Sequence, residues 1–114
     1  MQEALQEVER ALVKYRAGGH VEELLEALEP LRRALLSFLR PGAQENPSMT
    51  EAAYRLAERG LLSEEQAALL AELSRMKEMA HYDIYAEYSR EQIAEMWARA
   101  LALLRQLGRR GRAK

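Results

Sequence analysis

Ten consecutive residues, Met79 to Tyr88 (MAHYDIYAEY), hold three of the five tyrosines, one of the two histidines and the only aspartate of the chain. Arg75 lies six positions before His81. A histidine titrates near neutral pH and can act as general base or acid. A fixed, planar arginine cation can hold an anionic group and stabilise charge developing on its oxygens. Asp83 could orient His81 or raise its basicity, as a carboxylate does for a catalytic imidazole. Tyr82 and Tyr85, on either side of Asp83, could stack on bases or pack at an interface. A lone histidine near a helix end is commonly a cap or surface residue, and Arg75 is placed to pair with Glu72 or Glu78 along a solvated helix. His20 has no evident partner and is given no role.

The rest of the composition narrows the chemistry. There are no cysteines, so disulfides, thiolate metal sites and cysteine nucleophiles are excluded together. No His-rich cluster is present, and neither a metal nor an organic cofactor is indicated. A net charge of −1 gives no long-range attraction to nucleic acid or membrane, so RNA contact would need a local basic patch. No apolar run reaches the roughly 20 residues that span a bilayer, and the charged N-terminus is no signal peptide. The expectation is a cytoplasmic protein with no membrane contact. Arg outnumbers Lys 14 to 3, a bias that points to a thermophilic or high-GC source.

The elements that must position these residues are helices. Val, Ile and Thr total six residues, whereas Ala, Leu, Glu and Arg dominate, leaving little material for strands. With 114 residues the chain is read as one domain over 1–107 with a basic, frayed tail over 108–114. Apolar periodicity predicts a first helix over about Gln2–Arg16, stopped by Gly18-Gly19. A second, over about His20–Leu39, should kink at Pro30 or split near Glu29. Arg40 to Pro47 reads as a loop. Ser48 with Glu51, Ser63 with Gln66 and Ser89 with Gln92 look like capping boxes that open a third, fourth and fifth helix. Gly60 should end the third helix and Gly108 the fifth. The fold expected is all-α, a compact up-and-down bundle of about five helices around a Leu-rich core.

The segment AGGHVEELLEALEPLRRALLSFL (Ala17 to Leu39) resembles the helical hairpin of the HEPN superfamily. EAAYRLAERGLLSEEQAALLAELSRMKEMAHYD, from Glu51 to Asp83, looks like that family's third and fourth helices. The GLLSEE turn is similar to the branch that includes the HepT toxins. AHYDIYAEYSREQ also resembles another HEPN branch, with ADYD there and no histidine. HEPN ribonucleases carry an arginine, commonly a polar residue after it, four to six intervening residues and a histidine. Arg75 and His81 satisfy this pattern with five between. The chain departs from the HepT pattern in three ways. Four intervening residues are usual there, which would put the arginine at Met76. The polar position is also Met76. Asp83 stands where a tyrosine is expected two residues after the histidine.

The resemblance implies a HEPN-like bundle, a homodimer with sites in the cleft between subunits, and a small nucleotidyltransferase antitoxin as partner. The implied activity is that of a metal-independent ribonuclease toxin. The RNA 2′-hydroxyl would be the nucleophile, His81 the acid–base group and Arg75 the phosphate holder. Asp83, Tyr82 and Tyr85 would support or bind. The alternatives are a non-catalytic substrate- or nucleotide-binding subunit of a nucleotidyltransferase, or a plain helical interaction module. Geometry sets one condition. On an unbroken helix, residues six apart point about 120° apart, so Arg75 and His81 converge only if the helix ends near Met79 or if a second subunit supplies partner groups.

Overall fold

The computed structural model describes residues 2–79 and 83–112. Among these, the chain forms α1 (Gln2–Arg16), α2 (Val21–Glu26), α3 (Leu28–Leu39), α4 (Met49–Glu58), α5 (Glu64–Glu78) and α6 (Arg90–Arg112), with a 3-10 turn at Ile84–Ala86 before α6. The all-α bundle expected from composition is the fold observed. None of the described helices is long and apolar enough to cross a membrane.

The helix starts follow their side chains. The Ser48 hydroxyl accepts the Glu51 backbone N–H at 3.1 Å. Ser63 and Gln66 close a full capping box, as do Ser89 and Gln92, each side chain meeting the other's backbone N–H. Each box satisfies two donors that a bare helix start would leave unpaired. The ends of α1 and α4 are Schellman turns. Gly19 N–H bonds Lys14 O and Gly18 N–H bonds Tyr15 O; Leu61 N–H bonds Leu56 O and Gly60 N–H bonds Ala57 O. The pivots Gly18 and Gly60 have φ of 103° and 76°, where a Cβ is strained.

Two boundaries differ from those expected. The segment over His20–Leu39, expected to kink at Pro30 or split near Glu29, does split, but at Ala27. Pro30 thereby falls in the first turn of α3, where its missing N–H would have had no helical partner in any case. α6 does not close at Gly108 but continues to Arg112. A glycine inside a helix costs about 1 kcal/mol, and tertiary contacts offset it. Leu107 is buried, and the Arg110 guanidinium donates to Leu61 O at 3.0 Å. Ala113 and Lys114, the end of the expected tail, lie outside the described residues.

Packing centres on α6, whose Ile93, Trp97, Ala100, Leu101, Leu104 and Leu107 are buried together with apolar residues of every other helix. It contacts α1, α3 and α5. It runs antiparallel to α1, since Arg90 reaches Tyr15 O while Arg105 pairs with Glu9. It is also antiparallel to α5, since Gln106 meets Gln66 near the start of that helix. At 1.5 Å per residue, α6 runs for about 34 Å, most of the 40 Å longest extent of the molecule. Trp97 is fully buried, and its indole N–H has no acceptor among the described residues. Such an orphan donor costs on the order of 1–3 kcal/mol, set against the large apolar area that the ring buries.

A Cβ at Gly19 would lie 2.7 Å from the Lys14 carbonyl oxygen, and that neighbour is backbone. Gly19→Ala is expected to lower stability by about 1–3 kcal/mol, read as a drop in the urea midpoint at constant m-value.

Candidate functional site

Arg75 is in the last turn of α5, on its exposed face. Its guanidinium NH2 lies 3.0 Å from Glu72 Oε1 and 3.7 Å from Glu87 Oε2, and donates to the Tyr88 hydroxyl at 3.2 Å. Tyr88 in turn donates to Glu72. The pairing with Glu72 follows the i,i+3 spacing; Glu87 and Tyr88 arrive from across the turn before α6. Ion pairs between side chains this exposed are worth about 0–1 kcal/mol, so an incoming phosphate could exchange for either carboxylate. Met76 is fully buried in the core. The usual HepT register would thus put its arginine in an apolar interior, and the polar residue expected beside Arg75 is here a packing residue.

α5 stops at Glu78, with Met79 as its C-cap at φ −86° and ψ 7°. Met79 itself is in a 3-10 conformation. His81 and Tyr82 themselves lie outside the described residues. Asp83 caps the 3-10 turn: its Oδ1 accepts the Tyr85 N–H at 3.0 Å. That contact leaves its second oxygen for another donor. Tyr85 N–H, Ala86 N–H, Glu87 N–H and Tyr88 N–H are all held inside this short turn, by Asp83 Oδ1, Asp83 O, Ile84 O and Ile84 O respectively. Ile84 is buried and pins the turn to the core.

Tyr85 is 41% exposed, yet its hydroxyl is held. It lies 3.1 Å from the Tyr15 hydroxyl and accepts from Arg90 NH1 at 3.2 Å. Arg90 NH2 donates to Tyr15 O at 2.6 Å and to Gly19 O at 3.1 Å, and the guanidinium carbon sits 4.1 Å from the centroid of the Tyr15 ring. Arg90 thus meets the carbonyl end of α1 with positive charge, where such charge is favoured, and stacks on an aromatic face as it does so. Burial, with the hydrogen bond to Tyr85 next, pushes the Tyr15 phenol above its ordinary range.

A cleft of about 220 Å³ lies between α2, the end of α5 and the turn, lined by Val21, Glu22, Leu25, Met76, Met79, Asp83, Ile84 and Tyr85. It gathers two of the expected supporting residues, Asp83 and Tyr85, over an apolar floor, with the carboxylates of Glu22 and Asp83 among its lining. Among the described residues, no group of three or more His, Asp or Glu side chains is placed to hold a metal ion.

The structure thus joins Arg75 to the turn through Glu87 and Tyr88, and joins Tyr85 to Tyr15 and Arg90. The last two were not among the candidates. Tyr15 was legible only as part of the apolar stripe of α1, and Arg90 only as the residue after a cap. Their contacts cross 70 to 75 positions of sequence, and no local pattern signals them. Comparison with protein-family models, curated proteins and solved structures gave no match.

The Tyr15 phenol gives a pH test. Its folded-state pKa is raised above the unfolded value near 10, so the stability it contributes is fully present below pH 10 and is lost as pH rises toward the folded value. Urea stability should fall above about pH 10, and Tyr15→Phe should flatten that fall. The variant should be about 1 kcal/mol less stable at pH 7 for loss of the hydroxyl's bond. An alkaline limb that is identical in the variant would exclude Tyr15 as its cause.

Proposed function

We propose that this chain is a HEPN-type protein acting as a metal-independent ribonuclease toxin in the cytoplasm, held in check by a small nucleotidyltransferase antitoxin. The observation that supports the reading is that the α-helix carrying Arg75 ends at Glu78, as an Arg75–His81 pair would need. The resemblance over Ala17–Leu39 and Glu51–Asp83 supplies the class. In this reading Arg75 leaves Glu72 and Glu87 to hold the scissile phosphate. His81 takes the proton of the RNA 2′-hydroxyl as that oxygen attacks phosphorus, and the P–O5′ bond breaks with the 5′-oxygen taking a proton from water, giving a 2′,3′-cyclic phosphate. Asp83 orients His81, while Tyr82 and Tyr85 bind flanking nucleotides. As the resemblance implies, a second copy of the chain completes the site.

A second reading is favoured by the carboxylates around Arg75. Glu72 and Glu87 neutralise it, and the buried Met76 replaces the polar residue expected next to it. Both fit a non-catalytic subunit that holds substrate or nucleotide for a nucleotidyltransferase.

Purified protein in EDTA should cleave single-stranded RNA. His81→Ala and Arg75→Ala should each lower kcat/KM at least about a hundredfold, the lower end of what acid–base and oxyanion groups supply. A folded wild-type dimer that leaves RNA intact would select the binding-subunit reading. Sedimentation across micromolar concentrations should show the dimer; a monomer throughout would remove the shared cleft.

A further inference from the structure

We propose that Arg90 and Tyr15 are positioning residues that hold Arg75 in place through the turn between Asp83 and Tyr88; the role given to Arg75 rests on the ribonuclease reading. The turn is fastened on two sides. On one, Glu87 and Tyr88 reach Arg75, at 3.7 and 3.2 Å. On the other, Tyr85 is held by Tyr15 at 3.1 Å and by Arg90 at 3.2 Å. The second fastening has a rigid base: Tyr15 is 2% exposed, and Arg90 spans two carbonyls at the end of α1 while stacking on the Tyr15 ring. On the first side Tyr88 is half-buried against the core, but the ion pairs of Arg75 with Glu72 and Glu87 are exposed and exchangeable.

The fork of the guanidinium divides the work. NH2 serves the α1 carbonyls, which a plain C-terminal cap would also need. NH1 serves the Tyr85 hydroxyl, which a cap would not need. Loss of Arg90 therefore leaves the Tyr85 hydroxyl with Tyr15 alone, loosens the turn, and weakens Glu87 and Tyr88 as fixed partners of Arg75. Arg90→Lys retains the charge but not the two-pronged geometry, and cannot restore all three contacts.

The test uses the full chain and needs no catalytic activity. In Arg90→Ala, the amides of residues 85–88 should exchange with deuterium at least tenfold faster, with α3 and α4 unchanged. The side-chain Nε–H resonance of Arg75, assigned by its loss in Arg75→Ala, should move toward the position of a free arginine. Arg90→Lys should behave like Arg90→Ala, whereas Arg33→Ala, which breaks an exposed pair with Glu7, should do neither. Tyr85→Phe removes only the hydroxyl and should reproduce both effects, which keeps the test decisive even if Arg90→Ala folds poorly. Unchanged exchange at 85–88, exchange raised evenly over all helices, or an unmoved Arg75 resonance would overturn the proposal. In the RNA assay, Arg90→Ala should raise KM, and its effect should vanish in an Arg75→Ala background. Failure of the wild type to cleave would sink the ribonuclease reading while the exchange and resonance data still decide the clamp.

Discussion

The apolar stripe of α6 has to leave water, and most of the architecture follows from that need. Ile93, Trp97, Ala100, Leu104 and Leu107 are each at most 2% exposed, and a single neighbour could not cover so wide a face along 23 residues. α1, α3 and α5 all pack on it. The side chains of Leu and Ile gain roughly 1.5–3 kcal/mol each on full burial. That gain sets where the other helices lie and carries α6 past Gly108, a residue that local preference alone would make a terminus.

Once α1 and α6 lie antiparallel, the carbonyl end of one faces the first turn of the other. Arg90 stands at that meeting point and satisfies Tyr15 O and Gly19 O, so a helix end that would otherwise need water is closed by a cation from 75 positions away. The same geometry brings the preceding turn over Tyr15 and toward the end of α5. Candidate chemistry therefore sits where three helix termini converge: the end of α1, the end of α5 and the start of α6. Backbone there leaves the helical ladder, and side chains from distant segments can approach one another.

The surroundings of Arg75 carry the tension between the two functional readings. A phosphate-binding arginine has to be available, and this one is held by two carboxylates and a phenol. Glu87 and Arg75 itself are exposed, with Glu72 and Tyr88 half-buried, so the ion pairs are weak holds. Mutual attraction between such groups is screened by water and salt, and a phosphodiester, with the same single charge but two oxygens set for bidentate contact, can compete for the same guanidinium. The arrangement resembles a group kept oriented until a stronger anion arrives, and it would serve a binding subunit equally.

Local grammar determined much of this protein. The Ser–Gln boxes at Ser63 and Ser89, the glycine pivots at Gly18 and Gly60, and the Leu periodicity named five helical segments, because capping, positive φ and side-chain spacing act within a few residues. The spacing of Arg75 and His81, and the tyrosine-rich stretch around Asp83, were visible for the same reason. Tertiary structure alone decided that the break falls at Ala27 rather than near Glu29, and that α6 continues beyond Gly108. It alone brought Tyr15 and Arg90 to Tyr85, and Glu87 and Tyr88 to Arg75. These outcomes depend on which surfaces must be buried against which, and on carbonyls and cations meeting across dozens of residues. Such contacts have no period and no fixed spacing along the chain.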